Sequence, residues 1–218
     1  MTITCRDRVI LGRSLDMAHL FVLQASDAPI AVILRRGPSR WYHIIRWDTR
    51  TDEFTHGSWI KGRIYEDRCD VSPDGELLLY FVLQGSRFDN SLTHAWTAVS
   101  RVPYLQALTL WPQGTTYGGG GRFINNRTLA LRCVFDSPHE DFPLNGLQVV
   151  DAETPVHSRG DFVPDTDWSG VDHSGRTVFS RGHSLYARSE ATDILLADFS
   201  DLHPDPRPAP EDAGDLPS

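Results

Sequence analysis

The sequence predicts an all-β protein, a small β-propeller-like array of about four blades, with a β-sandwich as the alternative. Three observations carry this reading. Short apolar runs bounded by turn residues recur along the chain. Helical periodicity is scarce. A turn leading into an apolar strand returns about every fifty residues.

The runs lie at residues 30–34, 42–47, 77–83, 95–100, 129–134, 147–150, 177–180 and 194–199. Their Val, Ile, Leu and aromatic residues suit a pleated, packed surface. Residues 102–111 (VPYLQALTLW) are ambiguous between a short helix and a strand, given Pro103 and the branched and aromatic content.

The repeat aligns four segments: SDAPIAVIL, SPDGELLLYF, INNRTLALR and HSGRTVFSR. With Ala28, Gly75, Asn126 and Gly175 as equivalent anchors, the spacings are 47, 51 and 49 residues. A unit of that length, holding several short strands, has the size of a propeller blade. Each anchor strand is followed by a second strand and a polar turn. Asp48, Asp151 and Asp198 close three of these second strands, where a carboxylate accepts bonds from the N–H groups of the next turn. FVLQAS at 21–26 and FVLQGS at 81–86 compete with this register, being sixty residues apart. Residues 1–200 are read as one domain. Residues 201–218, rich in proline and acid, are read as a disordered, extended tail.

Of 218 residues, 40% are hydrophobic and 23% charged, as in a soluble globular chain. With 29 acidic residues against 21 basic, the net charge is −8, which argues against binding to a nucleic-acid backbone. Cys5, Cys69 and Cys133 are odd in number and far apart, which argues against a disulfide framework or a zinc knuckle and suggests buried thiols. No apolar stretch reaches membrane-spanning length and no signal peptide is evident, so the expected setting is cytoplasmic, without membrane contact.

Residues 71–81 (VSPDGELLLYF) resemble the repeat of TolB-type and WD40-like β-propellers, in which a Ser-Pro-Asp-Gly turn leads into a blade strand. Pro73 presets one turn dihedral and Gly75 can take a positive φ. Residues 171–179 (VDHSGRTVF) are a looser copy without the proline. The block from Leu34 to Phe123 is similar to bacterial proteins of no assigned activity. That resemblance implies a bacterial origin and brings no catalytic residue with it.

Several stretches invite a chemical reading. Residues 118–121 are four glycines, but Arg122, Phe123 and Ile124 follow, with no Lys-Ser/Thr and no helix, so a phosphate loop is not expected. They read as a tight crossing between units. Asp165, Asp167 and Ser169 precede Gly170 as at the start of a calcium loop, but Arg176 stands where that loop wants a glutamate. Asp136, His139, Glu140 and Asp141 mix histidine with carboxylates at a spacing that matches no particular site, and read as an exposed loop. Ser180, His183 and Ser184 lie outside any nucleophile elbow. Cys69 adjoins Asp70, whose charge raises a thiol pKa. The best contact surface is RRGPSRWY, with Arg35, Arg36, Arg40, Trp41 and Tyr42 around a Gly-Pro turn, because Arg, Trp and Tyr dominate binding hot spots.

These readings lead to a non-catalytic protein-binding module working through loops at one end of the array. A metal- or carboxylate-dependent hydrolase is the second reading. An immunity- or antitoxin-like protein, neutralising a basic partner, is the third. A protein partner is expected. Four units are few for a closed ring, so association into a homo-oligomer is one expected way to complete it. No cofactor is expected beyond calcium at Asp165, Asp167 and Ser169.

Overall fold

The computed structural model describes residues 19–85, 93–132, 137–151, 165–189 and 192–217. The protein is all-β, and the described strands form four open sheets. The first sheet runs β1 (His19–Gln24), β2 (Ile30–Arg36), β3 (Trp41–Asp48) and β4 (Glu53–Lys61), each antiparallel to the last. In the second, β5 (Arg63–Ile64) and β6 (Asp70–Val71) both pair with β7 (Leu77–Leu83), and β8 (Ala95–Arg101) and β9 (Ala107–Pro112) follow. The third pairs β10 (Gly121–Asn125) with β11 (Thr128–Leu131), and β12 (Gln148–Asp151) returns parallel to β11. The fourth is the meander β13 (Trp168–Val171), β14 (Thr177–Arg181), β15 (Ser184–Ser189) and β16 (Thr192–Asp198).

The four repeat anchors occupy equivalent places. Ala28, Gly75, Asn126 and Gly175 lie in the turns β1–β2, β6–β7, β10–β11 and β13–β14. Three of these turns are also bonded side by side. The Asp27 N–H donates to the Pro73 carbonyl at 2.9 Å, and the Asp74 N–H to Asn126 Oδ1 at 3.0 Å. The FVLQ pair does not share this equivalence, since its copies sit in a first strand (β1) and at the end of β7.

Strand alternation explains the core. Side chains at successive positions face opposite sides of a sheet. In β2, Val32 and Leu34 pack with Leu78, Tyr80 and Val82 of β7, while Ala31 and Ile33 pack with Val178 and Leu185 of the fourth sheet. Leu77 and Leu79 of β7 face Phe123, Leu129 and Leu131 of the third. The spatial order is therefore fourth, first, second, third. The two middle sheets are covered on both faces, which is why IAVIL and LLLYFV are unbroken apolar runs. The outer faces of the end sheets are only partly covered: Val171 and Leu195 remain 52% and 54% exposed, while Phe179 is buried beneath Arg181 and Arg188.

Three further segments are placed as follows. Residues 102–111 hold no helix; a turn leads into strand β9. Residues 137–143 form a largely exposed loop that also lies along β9, with the His139 N–H donating to the Leu110 carbonyl and Thr109 Oγ1 to the Pro143 carbonyl. The C-terminal segment, read as a disordered tail, is extended to Pro210 and then docks. It closes a 3-10 turn at Glu211–Gly214 and buries Ala213, while Leu216 packs on the cluster between the second and third sheets. Alanine and leucine there provide the apolar anchors that the proline- and acid-rich composition obscured.

Candidate functional site

The site begins with the β2–β3 turn. Pro38 presets φ, and the turn closes when the Gly37 N–H donates to the Trp41 carbonyl at 2.8 Å. Ser39 and Arg40 are both left-handed, with φ of 58° and 62°, conformations that non-glycine residues adopt at a cost. The Gly62 N–H donates to the Arg40 carbonyl at 2.9 Å and ties this turn to the β4–β5 junction.

Between the turn and the second sheet lies a cavity of about 320 Å³ lined by Arg36, Gly37, Arg40, Tyr42, Gly62, Arg63, Leu83 and Gly85. Its charged lining is three arginines, with no carboxylate. Arg40 and Arg63 are exposed, and neither forms an ion pair among the described residues; Arg63 lies 4.6 Å over the Tyr65 ring. Tyr42 is buried and donates to Glu66 Oε1 at 2.8 Å, with the Ile64 carbonyl at 3.2 Å. Burial and then the Glu66 charge push the Tyr42 hydroxyl well above its ordinary range, against the pull of Arg36 and Arg63. For Glu66 burial opposes the charged form. Bonds from His19, its own backbone and Tyr42 nevertheless hold its carboxyl below the usual carboxylate range. Glu66 is thus engaged with Tyr42 and His19.

Of the five residues expected at a contact surface, Arg36, Arg40 and Tyr42 line this cavity. Trp41 is half-buried beside it, edge-on to Trp59 at 6.5 Å and under Lys61. Arg35 is a correction: it is 1% exposed and belongs to no surface. Alternation turns it with Ala31 and Ile33 toward the fourth sheet, where Nε donates to the Phe199 carbonyl at 2.9 Å and Nη2 to the Leu202 carbonyl at 3.2 Å. Burial lowers its pKa. Its Nη1 has no hydrogen-bond partner and points at Gly37, where an added Cβ would sit 3.2 Å away.

Beside Arg35 stands a histidine pair. His43 stacks on Trp59 at 4.2 Å, its Nδ1 lies 3.2 Å from the Ser58 carbonyl, and its Nε2 lies 2.9 Å from His56 Nδ1. A carbonyl only accepts, so His43 carries its proton on Nδ1 and accepts from His56 through Nε2. Burial drives the His43 pKa down to about 4 and lowers that of His56 as well.

The other sequence candidates are placed as follows. Asp165 is exposed with φ of 59°, the Asp167 carboxylate accepts from the Gly182 N–H at 2.7 Å, and Ser169 lies inside β13 paired with Phe179. Among the described residues no group of three or more His, Cys, Asp or Glu side chains gathers as metal ligands. The nearby acids meet a guanidinium instead. Arg176 bonds Asp172 at 2.7 Å and Asp52 at 2.8 Å, joining the fourth sheet to the first. His139 sits 3.7 Å from Asp141 and against Phe142; Asp136 lies outside the described residues. Ser180 donates to the Leu20 carbonyl rather than to His183. Cys69 is buried, and burial pushes its thiol far up; Cys5 and Cys133 lie outside the described residues.

The glycine run is a junction between the second and third sheets. Gly119 and Gly120 have φ of 95° and 79°, and an added Cβ would sit 2.3 Å from the Phe81 ring and 2.3 Å from the Arg68 carbonyl respectively. Arg68 Nη1 donates to the carbonyls of Thr116 and Gly118, so here the backbone serves a side chain and its neighbours.

Sequence reasoning missed Gly62, Arg63, Leu83 and Gly85. The available signal was Lys61-Gly62-Arg63, a second basic pair around a glycine. Nothing linear joins it to Arg36 and Arg40; the β3–β4 hairpin does. Among the described residues no helix is long and apolar enough to cross a membrane. No family model, curated protein or solved structure matches the chain.

Proposed function

We propose that this chain is a non-catalytic protein-binding module, a propeller-like array of four sheets whose contact surface is the arginine-lined cavity at the β2–β3 turn. The observation that carries this is the convergence of Arg36, Arg40 and Arg63 with Tyr42 on one cavity without a lining carboxylate, in a chain of net charge −8. The positive charge of this cleft favours an acidic segment of a partner, and Tyr and Arg are the residues that anchor interfaces. The four equivalent turns and the Ser-Pro-Asp-Gly resemblance support the propeller-like reading of the scaffold. The bacterial origin implied by resemblance sets the lysate to search.

Capture from such a lysate tests the proposal. Wild type and Arg122→Glu, altered at an exposed strand position in the third sheet, should retain the same partner. Arg40→Glu/Arg63→Glu should lose it at least tenfold with unchanged thermal unfolding. Equal capture by the double variant would sink the reading.

A further inference from the structure

We propose that the group this cavity takes is a phosphoryl dianion carried by the partner protein, rather than a carboxylate. The inference rests on the cavity being the contact surface. Its ground is the number of positive charges that line one cavity. Arg36, Arg40 and Arg63 line the cavity from β2, the turn and β5. A fourth guanidinium stands behind its wall, because the unpartnered Nη1 of buried Arg35 faces Gly37. Arg35 donates to two carbonyls, among the described residues no carboxylate forms an ion pair with it, and burial weakens the solvent screening of its field.

A carboxylate carries one charge and two oxygens, which a single guanidinium fork satisfies. Several guanidiniums around one cavity repel each other and suit a group with more charge and more acceptors. A phosphate monoester carries roughly −1.5 to −2 charges and three strong acceptor oxygens, and so matches the set. The walls are consistent with close approach. Gly37, Gly62 and Gly85 place no side chains in the way, and a Cβ on Gly37 would press on Arg35. The left-handed pair Ser39 and Arg40 holds the turn in a strained form that presents Arg40 at the rim. At about 320 Å³ the cavity exceeds a phosphoryl group alone, leaving room beside Leu83 for the side chain that bears it.

The test uses the full chain and a matched pair of probes, phenyl phosphate and benzoate, titrated by calorimetry at pH 7.5 and constant ionic strength. Phenyl phosphate should bind at least tenfold more tightly than benzoate. Arg40→Ala/Arg63→Ala should lose at least tenfold of that binding, and Arg122→Ala almost none. Phosphatase treatment of the lysate should abolish partner capture. Benzoate binding as tightly, no phosphate binding at millimolar concentration, or indifference to the double variant would overturn the proposal. Capture that survives phosphatase would overturn the assignment of the phosphoryl group to the partner. If capture still depends on Arg40 and Arg63 in any of these cases, the binding-module reading stands and the phosphoryl assignment alone falls.

Discussion

Arg35 and Arg36 are adjacent, yet strand pleating sends one into the interface between sheets and the other to the cavity. The buried guanidinium clamps the chain just after β16 by bonding the Phe199 and Leu202 carbonyls. Arg35→Ala should therefore cost about 2–4 kcal/mol, from lost packing and two carbonyls left without donors; urea denaturation measures it. His43 gives a pH signature. Its folded pKa of about 4 lies below the unfolded value near 6.5, so the unfolded chain binds the extra proton between them. Stability is then full above about pH 6.5 and declines as pH falls toward 4, by roughly 2–3 kcal/mol. The lowered pKa values of His56 and His183 act in the same direction. Thermal unfolding between pH 7.5 and 4 should show this slope, and His43→Phe should flatten part of it. A slope unchanged in that variant would refute the assignment.

At the level of elements, the glycines separate two costs. Gly119 and Gly175 both have positive φ, but only Gly119 faces a side chain at contact distance, the Phe81 ring. Gly175→Ala should cost about 1 kcal/mol, the backbone term alone. Gly119→Ala should cost about 3 kcal/mol or more, because overpacking is added. Chemical denaturation of the pair measures the difference, and equal costs would mean the junction yields easily. Positions like these also show what the sequence made legible. The turn anchors were readable because Pro, Gly and Asn punctuate strands locally, and Asp48 and Asp198 do accept bonds from the following turns. The apolar runs marked β2 and β7 as strands, and their burial on both faces emerges from the packing of the sheets. Strands β1, β4, β10, β13 and β15, with the two-residue β5 and β6, lie outside the expected runs: β1 falls in the competing FVLQ match, and β4 is a half-exposed edge with a polar face. The parallel return of β12 was invisible because pairing direction depends on a contact across a long connection.

For the whole molecule, three clusters join four sheets in the order fourth, first, second, third, and the C-terminal segment crosses from the fourth back to the second and third. Arg101 meets Asp212 at 3.8 Å, and Arg127 bonds the Pro217 carbonyl. The Arg101–Asp212 pair is largely solvent-facing and adds little, whereas the Arg127 bond is partly buried and joins the apolar contacts of Ala213 and Leu216 in holding the segment. Deleting residues 203–218 should lower the Tm by about 2–4 °C, as expected for a loss near 1 kcal/mol in a chain of this size; an unchanged Tm would mean the segment contributes nothing. The cavity belongs to this scale as well. Its local half, Arg36, Arg40 and Tyr42, was legible in one octapeptide, while Arg63 and Leu83 are brought in by sheet topology. Site-specific photo-crosslinking from position 40 in living cells tests the central claim most directly, with position 122 as the comparison. The account predicts one defined adduct from position 40 and none from position 122. The same adducts from both positions, or none from position 40, would contradict it.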